Sequence, residues 1–144
     1  LKGPNADWNA STYQGHTNFY FSSSYEKDFM NILDVYLDGI FDPLFLTEER
    51  IFEGEGWHYT YDGNELGING VVYSEMSRNE TNKHRVIHNF MKKTAFKDGS
   101  FSYVSGGEIK EIPKLSYEEV IKYYKTYYHP GNSVVFIYGF KNLD

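Results

Sequence analysis

The 144-residue chain contains no cysteine. That absence removes disulfide frameworks, thiolate nucleophiles and cysteine-ligated zinc together. Long apolar runs are missing as well: nothing approaches the ~18 consecutive apolar residues of a bilayer-spanning helix. Basic tracts are also missing, and 14 Lys and Arg stand against 20 Asp and Glu, a formal net charge of -6. Phosphate neutralisation needs clustered cations, so the sequence argues against a nucleic-acid partner and leaves cationic peptides open as ligands. The opening residues, LKGPNADWNAS, lack the basic-then-apolar layout of a signal peptide and read as the interior of a longer chain.

What the chain does have is aromatic side chains, 19% of all residues and mainly 14 Tyr and 11 Phe. With 40% hydrophobic and 24% charged residues the balance is that of a globular domain, and the length suffices for one domain with a sizeable core. Residues 1–144 show no internal repeat, low-complexity segment or dividing linker, and are read as one domain. Two sequons, at Asn9 and Asn79, would matter only in a secretory compartment.

Alternation in TNFYFSSS (17–24) predicts a strand, and Ser23 with Glu26 forms the pattern of a capping box. Phe29, Ile32, Leu33, Tyr36, Leu37, Ile40 and Phe41 then recur at helical spacing, and Pro43 ends that helix. Thr47 is placed to cap a second helix through EERIFEGEGWHY, whose early Glu48 and Glu49 suit the positive end of its dipole. YDGN (61–64) reads as a hairpin turn, and an extended piece from Glu65 leads into NGVVYSEMSR (69–78). Val86, Ile87, Phe90 and Met91 predict a helix from Asn79 to about Phe96. KDGSFSYVSGGE is loop-like, with backbone freedom at Gly106 and Gly107. Ser116 and Glu119 form a second capping box, with Leu115 and Val120 at staple positions, for a helix through Tyr127. SVVFIYG (133–139) reads as a central strand. Helices following one another between strands predict an α+β fold with a mixed, mostly antiparallel sheet and helices on one face.

The chemistry-bearing residues leave several readings open. His84 and His88 in HRVIH have the i, i+4 spacing of a zinc pair, but Arg, Val and Ile lie between them where a hydrolytic site needs a glutamate. The two histidines are therefore read as flanking an apolar stripe, with metal binding the alternative, and no site is built on the pair. Carboxylate pairs such as Glu48/Glu49, Glu53/Glu55 and Glu118/Glu119 sit where helix ends and solvated faces want them, and a glycosidase pair is not set by spacing alone. The serine run lacks a nucleophile-elbow pattern, and SGGE lacks the Lys-Ser/Thr ending of a phosphate loop. Glu75 ends the apolar run Gly70, Val71, Val72, Tyr73. Either it marks the meeting with water or it has a positive partner, because Glu is almost never fully buried unpaired.

Several stretches together resemble the insulinase/pitrilysin-like zinc metallopeptidases, in particular their presequence-protease and falcilysin branch. WNASTYQGHTNFYF resembles that family's Asn-Ala-x-Thr segment and following strand. KDFMNILDVYLDGIFDPLF is similar to its first helix, and FEGEGWHY to its Glu-Gly-Trp turn. NGVVYSEM resembles the stretch carrying the distal zinc-ligating glutamate. SYVSGGEIKEIPKLSYEEVIKYYKTYYHPGN is similar to the Ser-Gly-Gly loop and the helix ending in Tyr-His-Pro. The ordered set covers nearly the whole chain.

The resemblance implies a zinc cofactor in the complete protein, with Glu75 as a ligand and Asn9 and Ala10 in an edge strand that binds an extended peptide substrate. It further implies that the family's H-x-x-E-H motif, which precedes the Asn-Ala segment, lies outside these residues. A partial metallopeptidase domain, inactive alone, is therefore expected, its partners being peptide substrates and the remainder of a parent chain. Glu108 where the family usually has Asp, and SRNETNKH after Met76, are departures that bear on substrate preference. The alternative is a non-catalytic chamber-wall or scaffold domain of the same fold. Apolar surface left on the sheet and around Leu33 is expected to cause self-association.

Overall fold

The computed structural model describes residues 6–97 and 99–139. Strands β1 (Ala6–Thr12) and β2 (Thr17–Ser23) form an antiparallel hairpin in which Trp8 opposes Phe21, Asn9 opposes Tyr20 and Ala10 opposes Phe19. Opposed residues share a face, so Trp8, Ala10, Phe19 and Phe21 lie together and Asn9 and Tyr20 lie on the other side. The apolar face meets α1 (Glu26–Phe41), where the Phe21 ring lies 4.8 Å from that of Phe29 and 5.2 Å from that of Tyr36. The predicted stripe of α1 is thereby used, and Ile32 is buried at its centre. The helix ends at Phe41, just before Pro43 as expected.

Two predicted caps are not made. Tyr25, in extended conformation, is the N-cap of α1, and Ser23 instead accepts a bond from the Tyr25 amide at 3.2 Å. It sits too far before the helix to reach a first-turn amide of α1. Helix α2 (Glu49–Glu55) starts after Glu48, and the Thr47 hydroxyl donates to the Leu44 carbonyl at 3.2 Å. The short 3₁₀ turn Leu44–Leu46 leaves that carbonyl within reach and captures the hydroxyl first.

Strands β3 (His58–Tyr61) and β4 (Leu66–Asn69) make the hairpin that YDGN predicts. Its turn is fastened by the Asp62 carboxylate, which accepts from the amides of Asn64 and Glu65, each at 2.9 Å. The chain does not stay extended into NGVVYSEM. Gly70, at φ 138°, turns it into α3 (Val71–Glu80), a conformation that costs glycine least. The helix predicted from Asn79 is divided: α4 (Lys83–Ala95) begins anew where the Asn82 side chain accepts from the amides of His84 and Arg85.

Helix α5 (Tyr117–Tyr127) carries the predicted capping box, with Ser116 accepting from the Glu119 amide and the Glu119 carboxylate accepting from the Ser116 amide. Tyr124 on α5 is buried and its hydroxyl donates to the Ile40 carbonyl at 2.6 Å, while Tyr117 reaches the Phe45 carbonyl at 2.7 Å. Tyr124 thus fastens α5 to the end of α1, and Tyr117 fastens it to the 3₁₀ turn that follows. Burial pushes the Tyr124 phenol pKa up, helped by the nearby charges of Asp42 and Tyr128.

The central strand expected at 133–139 is not formed. Val134, Phe136 and Tyr138 are 95%, 86% and 88% exposed, and both observed sheets are two-stranded. Apolar character suits a strand to a core, but a strand exists only where a neighbour completes its hydrogen-bond ladder, and no described strand pairs with this segment. The fold is α+β as predicted, with two small antiparallel sheets in place of one mixed sheet. Among the described residues the buried hydrophobic core is Ile32, Met76, Ile112 and Tyr124 alone. The accessible surface, 11575 Å², exceeds the roughly 7,700 Å² of a compact monomer of this mass.

Candidate functional site

The site is built around the start of α3. Asn69 holds it: its side-chain oxygen accepts from the Gly70 amide at 2.8 Å and from the Ser74 hydroxyl at 3.1 Å. The Tyr73 amide donates to the Gly56 carbonyl at 3.3 Å, so the helix that carries Glu75 docks on the end of α2. The contact admits no side chain at residue 70, because a Cβ there would stand 2.3 Å from the Gly56 oxygen. EGW and NGVVYSE, which lie 13 residues apart from Trp57 to Gly70, meet at these two glycines.

On the next turn Met76 is buried beside Glu75. A Cβ on Gly106 would lie 2.7 Å from the Met76 sulfur, so the Ser-Gly-Gly loop packs its bare backbone on that side chain. Gly106 and Gly107 take φ of 87° and 89°, the left-handed region their sequence anticipates. The same loop reaches the hairpin: Ser105 donates to the Thr12 carbonyl at 3.0 Å, and Gln14 donates to the Tyr103 carbonyl at 3.3 Å. Residues 103–107 therefore tie the end of β1 to the helix of Glu75. Trp57 adds a further tie by donating from its indole to the Leu115 carbonyl at 3.0 Å.

Glu75 itself is exposed on α3, not embedded at the end of a core segment, and its carboxylate has no hydrogen-bond or ion-pair partner among the described residues. Val71 and Val72 are 55% and 37% exposed, so the two valines of the apolar run before it are not core either. Asn9 and Ala10 lie in β1, which has β2 on one side and no strand on the other among the described residues. The Asn9 side-chain oxygen accepts from the Ala10 amide at 2.8 Å. Ala10 also lines an apolar groove of about 370 Å³ with Trp8, Phe19, Ile32, Val35 and Ile40. Tyr36, at the same groove, has its phenol pKa raised by burial, with Asp7 and Tyr20 adding to the effect.

His84 and His88 are exposed on α4, and no group of three His, Asp or Glu able to hold a metal occurs among the described residues. Sequence reading missed the glycine-to-glycine contact and the Ser105 tether. Their one sequence signal was glycine placed directly before a helix and doubled in a loop.

Comparison with known proteins gives one family match and a set of similar relatives. The family model described as "Peptidase M16 inactive domain" matches residues 114–144. Protein HypA of Clostridium perfringens is 42% identical over 96% of this chain, and Presequence protease 1, chloroplastic/mitochondrial, of Arabidopsis thaliana is 33% identical over 91%. The mitochondrial presequence protease of Xenopus tropicalis is 36% identical over 91%. The chain spans only 15%, 12% and 13% of the length of these three relatives.

Proposed function

Because this chain belongs to the insulinase-like, or peptidase M16, family, we propose that it is part of the catalytic domain of a zinc endopeptidase that hydrolyses short unfolded peptides. The observation that carries this reading is the convergence of the Glu-Gly-Trp turn, the Glu75 helix and the Ser-Gly-Gly loop at Gly56, Gly70, Met76 and Gly106. Three segments distant in sequence fix the backbone that presents one unpartnered carboxylate. Such rigid placement suits a ligand better than a solvated surface charge.

Proteases of this family are generally metal-dependent. The described residues do not by themselves fit a zinc site, since they bring no three donors together. No hydrolytic step is therefore assigned to them. Their contribution is one carboxylate, Glu75, for a metal whose other donors come from elsewhere in the protein, and 1–144 alone is inactive. The second contribution is the open side of β1. An extended peptide laid there at Asn9 and Ala10 is held by main-chain hydrogen bonds, which depend little on its sequence.

A second reading, a non-catalytic wall or scaffold domain, is favoured by one observation: the model that matches 114–144 is described as the inactive domain. One experiment separates the two. Zinc content and peptide cleavage are measured on the full-length polypeptide that carries this segment, as wild type and as Glu75→Gln. Loss of both in the variant supports the ligand role, whereas full zinc retention overturns it. A wild type that carries no zinc and cleaves nothing establishes the scaffold.

A further inference from the structure

Helix α4 is turned the wrong way round for a helix whose partner is its own domain. Amphipathic helices bury the apolar stripe and leave the polar face to water. Here Val86, Ile87, Phe90 and Met91, at i, i+1, i+4 and i+5, are 49%, 58%, 70% and 62% exposed. The half-buried positions are the polar Asn89 and Lys92. Lys92 donates to the Tyr103 carbonyl at 3.1 Å and Lys93 pairs with Glu108 at 2.7 Å, so polar contacts attach α4 to the body while its apolar stripe faces outward.

The charge beside that stripe is one-sided. α4 holds four of the chain's 14 Lys and Arg and none of its 20 Asp and Glu. Lys83 heads the stripe, three residues before Val86, and the first turn also carries His84 and Arg85 with no acidic residue. Neither Lys83 nor Arg85 has a carboxylate partner among the described residues. The positive end of the helix dipole lies at the same end, so the stripe favours a cover that brings carboxylates there.

We propose that this stripe seats an apolar, acid-bearing segment of the same polypeptide from outside residues 1–144. The inference rests on the reading of the chain as part of a longer peptidase. Two observations favour this occupant over a second copy or a transient partner. α4 carries four Lys and Arg and no Asp or Glu, so the α4 of a second copy laid on the stripe would set like charges together. The relatives that contain this stretch devote only 12% to 15% of their length to it. Covalent continuity holds such a segment beside the stripe at the highest effective concentration.

The test places the photoreactive analogue p-benzoylphenylalanine at Phe90 of the full-length polypeptide, a site exposed enough in this segment to accept the larger ring. Mass spectrometry then locates the cross-link. The expected product joins position 90 to the same polypeptide outside these 144 residues, at a segment bearing Asp or Glu. Lys83→Glu should lower the cross-link yield by about tenfold, and reversing the facing carboxylate to Lys should restore it. A cross-link to a second copy, to another protein or to lipid overturns the proposal, as does a position 90 that stays solvent-accessible without a cross-link. Zinc measured on the same preparation reports separately on Glu75, so failure of one reading is not mistaken for failure of the other.

Discussion

Gly70 and Gly56 approach so closely that a methyl group on the first would lie 2.3 Å from the carbonyl oxygen of the second. Two residues without side chains thus let the start of α3 dock against the junction of α2 and β3, with the Tyr73 amide bonded across the gap at 3.3 Å. Glu75 takes its position from that contact, since the helix turn carrying it begins there.

Gly70→Ala should therefore be costly twice over, through backbone strain at φ 138° and through collision with Gly56. A loss of about 3 kcal/mol is expected in urea unfolding. A change below ~0.5 kcal/mol would mean that α3 can shift away from Gly56 without penalty.

The two capping boxes make opposite predictions although their sequences look alike. Ser116→Ala removes a made bond to the Glu119 amide and should cost about 1 kcal/mol. Ser23→Ala removes no helix cap and should stay within ~0.5 kcal/mol. Chemical denaturation of both variants decides it, and equal losses would refute the assignment.

Tyr124→Phe keeps the ring contact with Phe45, at 5.2 Å, but leaves the Ile40 carbonyl without its donor. The expected loss is about 1 kcal/mol, with a weakened join between α1 and α5. Hydrogen exchange should show it as faster opening at the last turn of α1, and unchanged protection there would contradict that join.

Acid should open the β3–β4 hairpin. Bonds from the Glu65 and Asn64 amides stabilise the ionised Asp62 and hold its pKa below the usual carboxylate value. A depressed folded-state pKa means the stabilisation is present above the unfolded value and disappears as pH falls through the folded one. NMR shifts of Tyr59 and Thr60 followed from neutral to acid pH should report the loss. Asp62→Asn, which keeps an acceptor oxygen, should flatten the dependence, and an unchanged titration would sink the idea.

The α1 stripe, the YDGN hairpin, the Ser116 box and the paired glycines of the SGG loop were legible in the sequence because each depends on neighbours within a few residues. Ser23 and Thr47 misled because a nearby carbonyl or amide competes for a hydroxyl, and spacing does not say which wins. The segment 133–139 misled for a different reason: apolar content encodes willingness to pair, while pairing itself needs a strand from elsewhere.

The candidate site divides in the same way. From the sequence came the residue types, a carboxylate at Glu75 and an extended Asn9-Ala10 segment, together with the family pattern that makes them worth attention. Local sequence also determined that a helix would carry Val86, Ile87, Phe90 and Met91. Only tertiary structure decided that Gly56 and Gly70 meet, that the loop at Ser105 joins β1 to the Glu75 helix, and that α4 turns its apolar stripe outward. Periodicity records which residues share a face; what that face meets is fixed by packing among segments far apart along the chain.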